Sequence, residues 1–175
     1  MTSEPERVGH RGPAFRCVPE NGPVELDALV SADGENDRWN RPGQPTLYLA
    51  LDPGVALAEA GRHQPPSDEN GPACQRLLRL DVVAADLVDL RDPASLAALG
   101  IDGAPCAFLV RERARGLASR LRSRSASVAG LIVPSAAFLD DPSRGNLVLF
   151  MERAGEVSDV VRSWRQVGRL AVAGA

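Results

Sequence analysis

Arg38, Tyr48 and Glu59 stand where a short strand and the following helix could bring their side chains together. A guanidinium group can grip phosphate with paired hydrogen bonds, and a tyrosine ring can stack on a flat ligand. A carboxylate can stabilise positive charge that develops as a bond breaks. Residues 46–51 alternate with period two, which predicts a strand with Tyr48 on the face opposite to the leucines.

A helix is predicted directly after this strand, and it would carry Glu59. Asp52 is a favourable N-cap, Pro53 suits the first helical position, and Gly61 marks an end. Glu59 then lies in the second turn, and its neighbours three and four residues back are apolar. The carboxylate is therefore expected against the apolar side of the helix. The residues alone leave two alternatives for Glu59. Its carboxylate could take part in chemistry, or it could form an ordinary i,i+3 ion pair with Arg62.

The order of short motifs along the chain resembles that of the RES domain, a family named for Arg, Glu and Ser. The motifs are R-W-N, P-G, L-Y-L and D-P-G-V-A-L-A-E, followed far downstream by V-P-S-A and G-N-L-V-L-F. The resemblance covers residues 15–153. This chain departs from the family pattern at Asn36 and Asp37, where the family usually has Gly-Gly before the arginine.

The resemblance implies a fold and a function. The expected fold is α+β, a single compact domain with a mixed β-sheet core and flanking helices, similar to the ADP-ribosyltransferases. The expected function is that of a toxin in a bacterial toxin–antitoxin pair, which cleaves NAD at the nicotinamide–ribose bond and transfers ADP-ribose to phosphate or water. Transfer to a protein is the alternative. NAD enters as substrate and no other cofactor is implied. The implied partner is a cognate Xre-like antitoxin, through which alone nucleic acid would be contacted.

The resemblance also selects the site residues. The expected catalytic residues are Arg38, Tyr48, Glu59 and Ser135. The expected substrate contacts are Arg16, Arg38, Tyr48 and Asn146. Glu59 would oppose the oxocarbenium-like ribosyl cation, and an arginine would grip the pyrophosphate. Tyr48 would stack on nicotinamide and use its hydroxyl for orientation. Each also has an ordinary structural role: an arginine can pair with an acid in residues 33–37, Tyr48 can pack on a neighbour, and Ser135 can cap a turn.

Length and composition limit the alternatives. The chain has 175 residues, of which 44% are hydrophobic and 25% charged, as expected for one globular domain. No apolar run reaches the roughly 18 residues that a membrane span requires, and the N-terminus lacks a signal-peptide pattern. We therefore expect a cytoplasmic protein that does not insert into a membrane.

Charge and metal-binding patterns carry little further signal. The formal net charge of −3 argues against general nucleic-acid binding. The arginine-rich residues 111–124 suit either a solvated helix face or a surface for an acidic partner, which leaves a non-catalytic interaction module as a further alternative. Glu59 and His63 have the spacing of a metal pair on a helix, but no third ligand accompanies them. The three scattered cysteines predict neither a disulfide nor a zinc site.

The remaining pattern predicts the organisation of the chain. Residues 1–13 are polar and expected to be disordered, residues 14–153 form the RES-like domain, and residues 154–175 are a C-terminal extension that packs on it. Strands are predicted at residues 15–18, 77–83, 86–90, 129–133 and 146–151. Helices are predicted at residues 94–99 and 104–124, and a loop at residues 64–73. Residues 157–167 suit a helix by spacing and a strand by β-branched content. Strands and helices without strict alternation favour an α+β fold over a doubly wound sheet.

Overall fold

A computed structural model describes residues 4–21, 23–34, 37–62, 73–124 and 127–172. Its strands are β1 (Arg7–Pro19), β2 (Val30–Ser31), β3 (Thr46–Ala50), β4 (Ala73–Asp89), β5 (Gly130–Pro134), β6 (Gly145–Phe150) and β7 (Val161–Val172). Its α-helices are α1 (Pro53–Arg62), α2 (Pro93–Ala98), α3 (Arg111–Arg124), α4 (Met151–Ala154) and α5 (Val157–Val160). Short 3-10 helices lie at Asp27–Leu29 and Cys106–Leu109. No helix in these ranges is long and apolar enough to cross a membrane.

The seven strands of the described ranges form one mixed sheet in the order β1-β3-β6-β5-β4-β7, with β2 paired to β3. The long strand β4 organises it. One edge of β4 pairs with β1, and its other edge pairs first with β7 and then, in parallel, with β5. Because β1 also pairs with β3 at Phe15 and Ala50, five strands are linked in a ring. The single domain and mixed sheet confirm the predicted α+β class.

The core lies on both faces of the sheet, as alternation in β3 requires. Leu47 and Leu49 pack into the larger apolar cluster with Leu78 and Leu80 of β4. Tyr48 points the other way and packs against the cluster that contains Trp39 and the buried side of α3. The prediction that Tyr48 lies opposite to the leucines is confirmed.

The N-terminal segment differs from its prediction. Residues 7–13 were expected to be disordered, but they form the first half of β1 and pair with residues 81–88 of β4. Their polar composition is compatible with a strand, because pairing with β4 gives their backbone N–H and C=O groups hydrogen-bond partners. Residues 1–3 lie outside the described ranges.

Other elements differ from the sequence prediction in their extent or continuity. The separate strands predicted at residues 77–83 and 86–90 are parts of one strand, β4. Asp86, with a φ of 56°, bends this strand but does not end it. The helix predicted for residues 104–124 is interrupted by extended backbone at Val110. The tail forms the short helix α5 and then strand β7, which extends the sheet along β4. The loop predicted at residues 64–73 lies outside the described ranges except for Ala73, which opens β4.

The arginines of residues 111–124 do not form one surface. The side chain of Arg122 is only 6% exposed, and its guanidinium donates to Glu152 and, at 2.7 Å, to Thr46 Oγ1. It also lies 3.7 Å from the centroid of the Phe150 ring. A buried charge of this kind contributes to the fold because its acceptors and the Phe150 ring replace part of the water that it has lost, although Nε has no hydrogen-bond partner among the described residues.

We therefore predict that Arg122→Ala lowers the free energy of unfolding by about 2–4 kcal/mol, since Glu152 and Thr46 lose their partner and a cavity forms. Arg120→Ala, on the exposed side of the same helix, should change it by less than about 0.5 kcal/mol. Urea unfolding of the two variants measures the difference. Equal effects would show that Arg122 has no special structural role.

Candidate functional site

A cavity of about 560 Å³ opens between β1, β3, β6 and α1. A volume of this size accommodates a drug-sized ligand. Its described lining includes five of the six predicted site residues, namely Arg16, Arg38, Tyr48, Glu59 and Asn146. The sixth, Ser135, is fully buried between two lining residues, Pro134 and Ala136, and reaches the cavity through Glu59.

Glu59 is held by groups from two neighbouring strands. Ser135 Oγ, just after β5, donates to Glu59 Oε1 at 2.6 Å, and Asn146 Nδ2 in β6 approaches the same oxygen at 3.4 Å. The backbone N–H of Ala137 donates to Ser135 Oγ at 3.1 Å, so the hydroxyl hydrogen is left for the carboxylate. The carboxylate therefore has a defined orientation at the cavity wall.

Helix α1, which carries Glu59, is tied to the β5–β6 connection at both ends. Asp52 Oδ1 caps the helix by accepting from Val55 N at 2.9 Å, and Arg144 Nη2 donates to the same oxygen at 3.0 Å. At the other end, Arg62 Nη1 donates to Ala136 O at 2.6 Å. Burial acts to raise the pKa of Asp52, but the hydrogen bonds from Arg144 and Val55 outweigh it and lower the pKa overall. These contacts fix the height of Glu59 over the strand ends.

Tyr48 has its hydroxyl engaged inside the protein and its ring at the cavity. The hydroxyl donates to Asn40 Oδ1 at 2.6 Å and accepts from Trp39 N at 3.0 Å. Burial raises the pKa of Tyr48 well above its ordinary value, so the group stays neutral. The hydroxyl thus holds the R-W-N segment, while the ring lines the cavity, where it can stack on a ligand.

Arg16 and Arg38 bring half-buried guanidinium groups to the cavity. Arg16 Nη1 donates to Tyr48 O at 3.2 Å across the β1–β3 boundary. Arg38 Nη1 donates to the carbonyls of Phe108 and Leu109, at 2.7 and 2.9 Å, at the end of the second 3-10 helix. Burial lowers the pKa of both groups. Guanidinium groups nevertheless stay charged in proteins. The carbonyls orient them, and a guanidinium has further N–H donors for an anion.

Sequence reasoning missed several residues of this site. The additional charged lining residues are Asp37, Arg62 and Arg111. Outside the lining, Arg115 of α3 holds the residues that precede the R-W-N segment: its Nε donates to Asp37 O at 3.0 Å and its Nη2 to Gly34 O. Nothing local marks Arg115, because its partners lie about 80 positions away in the chain.

Metal ligation is not offered by the described part of the chain. No group of three His, Cys, Asp or Glu side chains there is arranged to hold an ion. His63, which has the spacing of a metal pair with Glu59 in the sequence, lies outside the described ranges.

Comparisons with known proteins bear on the family and the fold of this chain. The family model of the RES domain matches residues 14–170. A chain in the crystal structure of the M. tuberculosis MbcT-MbcA toxin-antitoxin complex shares the fold with a TM-score of 0.65, 18% identity and coverage of 92% of this chain and 86% of that chain. Identity this low supports a common fold only. No curated protein matches the sequence significantly.

We predict that Arg115→Ala loosens the R-W-N segment. This segment carries Arg38 and the two residues, Trp39 and Asn40, that bind the Tyr48 hydroxyl. Two carbonyls lose their donor, so amide exchange at residues 37–41 should accelerate and unfolding should cost about 1–3 kcal/mol less. Arg113→Ala, exposed on the same helix, is the matched control. Hydrogen exchange followed by mass spectrometry measures both, and equal protection in the two variants would contradict the role of Arg115.

Proposed function

Because the chain belongs to the RES domain family, we propose that it cleaves NAD at the nicotinamide–ribose bond and acts as the toxin of a toxin–antitoxin pair. The observation that carries this proposal is the Glu59 carboxylate, held by Ser135 Oγ at 2.6 Å on the wall of a cavity with four lining arginines. An oriented carboxylate suits a developing ribosyl cation, and arginines suit a pyrophosphate.

The chemistry requires one bond to break and one to form. The glycosidic bond between ribose C1′ and the nicotinamide nitrogen breaks, and its electron pair leaves with nicotinamide, which becomes neutral. The positive charge passes to C1′ and the ring oxygen, where Glu59 stabilises it. An oxygen of phosphate or water then binds C1′, giving ADP-ribose 1″-phosphate, or ADP-ribose and a proton. No described side chain acts as an acceptor in this scheme.

In this proposal the arginines bind the pyrophosphate of the dinucleotide, and an aromatic ring binds its nicotinamide. Arg16 and Arg38 lie on the β1 and R-W-N sides of the cavity, where their remaining N–H groups can bind pyrophosphate oxygens. Tyr48 lines the same space, which suits stacking of its ring on nicotinamide, while the buried Trp39 packs behind it on Phe108. Fixing the two ends of the substrate separately would hold the scissile bond against Glu59.

Depletion of NAD by transfer to phosphate or water remains our first choice for the reaction. Transfer to a protein is the alternative, but no feature of the described surface singles out one protein target. The alternative of a non-catalytic interaction module is disfavoured, because several arginines of residues 111–124 are not available on one exposed surface. Arg122 is buried, Arg115 braces the residues before the R-W-N segment, and Arg111 lines the cavity itself.

The proposed reaction predicts that the purified protein releases nicotinamide from NAD. Mass spectrometry with and without phosphate identifies the acceptor, because only phosphate adds to the ADP-ribose mass. Glu59→Gln keeps the shape and removes the charge, so the rate should fall at least about a hundredfold. The matched control is Glu25→Gln, an exposed carboxylate outside the cavity, which should retain full activity. A wild-type protein that leaves NAD intact would refute the proposal, as would a fully active Glu59→Gln variant.

The partner in the proposed pair is an Xre-like antitoxin that silences the protein by covering the cavity. A chain that shares this fold was crystallised in a toxin–antitoxin complex, and this supports an antitoxin partner in the proposal. That the antitoxin is Xre-like is what the family resemblance implies. Expression of the chain alone should lower cellular NAD and arrest bacterial growth, and co-expression of the neighbouring gene product should restore both. The Glu59→Gln variant should be harmless without the partner. Normal growth and unchanged NAD on expression of the wild-type chain alone would contradict the toxin assignment.

A further inference from the structure

A groove on helix α3 lies apart from the cavity. Its volume is about 480 Å³, and it shares no lining residue with the cavity. The apolar part of its lining includes Ile101, Phe108 and Leu117. Leu109 and Val110, which follow Phe108 in the chain, are both exposed. Apolar surface that stays exposed beside a groove is typical of an interaction site.

Helix α3 contributes a glycine to this groove for which its own chain gives no packing reason. Gly116 lies in the interior of the helix, where glycine is less favourable than alanine. Apart from its own helix, no atom of the described residues lies within 4 Å of the position that a Cβ would take at Gly116. A side chain would therefore fit there. Its absence instead lets the backbone of another molecule approach α3 closely.

Two of the arginines of residues 111–124 are available to an outside acceptor in the groove. Arg113 and Arg120 are exposed, and neither side chain has a hydrogen-bond or ion-pair partner in the part of the chain that the structure describes. Glu112, by contrast, binds Arg41 at 2.8 Å. The other acidic lining residue, Asp102, belongs to the second wall, which follows α2. The α3 wall thus presents unpaired positive charge.

The spacing of the two arginines selects the shape of the partner. Arg113 and Arg120 are seven positions apart, so they lie on one face of α3, about 10.5 Å apart along its axis. Residues seven apart on a facing helix have the same spacing. Residues on one face of a strand are separated by multiples of about 6.7 Å, and neither one nor two of these steps matches. Two carboxylates on one face of a partner helix therefore match the two arginines.

We propose that this α3 groove docks an acidic amphipathic helix of a partner protein. The acidic residues of that helix pair with Arg113 and Arg120, and its small and apolar residues pack on Gly116 and Phe108. A second copy of this chain fits less well, because a symmetric contact would bring the two arginines of both copies together. The inference goes beyond the proposed function and does not depend on it, since the groove lies outside the cavity.

The groove adjoins residues that support the R-W-N segment. Phe108 lines the groove, and its carbonyl accepts from Arg38 Nη1 at 2.7 Å. Glu112 lines the groove and binds Arg41, just after the segment. A docked helix therefore contacts the supports of this segment without entering the cavity.

The test uses a stapled helical peptide of about 20 residues as the probe, with glutamates seven positions apart and leucine and alanine between them. Fluorescence anisotropy should give a Kd of about 100 µM or tighter for the wild type, and added salt should raise it. The same peptide with lysine in place of glutamate should bind at least about tenfold more weakly. A scrambled peptide of the same acidic composition should lose affinity similarly, because it lacks the apolar face.

Three variants locate the bound probe. Arg113→Glu combined with Arg120→Glu should weaken binding by about tenfold or more. Arg162→Glu combined with Arg165→Glu makes the same charge change at exposed positions of β7, and it should alter the Kd by less than about twofold. Gly116→Leu fills the groove, so it should weaken binding by about tenfold without lowering the urea midpoint of unfolding.

The inference is overturned by a wild-type protein that does not bind the acidic peptide, or that binds the lysine or scrambled peptide as tightly. Unchanged affinity in the double variant of Arg113 and Arg120 also overturns it. A wild-type dimer in sedimentation that Gly116→Leu dissociates would assign the groove to a second copy instead. Glu59→Gln should bind the probe as the wild type does, so a failure of NAD cleavage leaves this test decisive.

Discussion

The hydrogen bond from Ser135 to Glu59 is the contact on which the rest of the site depends. It joins helix α1 to the end of β5, two elements that are 76 positions apart in the chain. A half-buried carboxylate is unfavourable unless hydrogen bonds replace its lost hydration, and the bond of 2.6 Å supplies part of that replacement. The contacts of Asp52 with Arg144 and of Arg62 with Ala136 keep the helix where this bond can form. The geometry of the carboxylate is thus set by the fold of the sheet and not by the helix alone.

Arginine serves two purposes in this protein, which contains no lysine. Some guanidinium groups brace the structure by binding backbone carbonyls, as Arg115 does just before the R-W-N segment. Others, such as Arg16 and Arg38, use carbonyls to orient themselves toward the cavity. The planar group with several donors makes both uses possible, because one edge can bind the protein while another faces a ligand. Sequence clustering of arginines therefore says little about which role each one has.

Local signals predicted the part of the fold that carries Glu59 and Tyr48. Alternation in β3 and the capping residues of α1 act over a few positions, so they are visible in the sequence. The extent of β1, the continuity of β4 and the strand character of β7 were not visible, because they depend on backbone pairing between distant segments. The predicted site residues came from a family resemblance, whereas Asp37, Arg62, Arg111 and Arg115 join the site only through tertiary structure. The resemblance itself is confirmed by the family match over residues 14–170.

We propose that Glu59 can act in catalysis because Ser135 holds its carboxylate in place. Steady-state release of nicotinamide from NAD by the wild type and by Ser135→Ala tests this most directly. Loss of a hydrogen bond to a charged group should lower kcat about tenfold or more and leave KM nearly unchanged, since Ser135 is buried behind the carboxylate. Unchanged kcat in Ser135→Ala, or a wild-type protein that releases no nicotinamide, would contradict this role of Ser135 and Glu59.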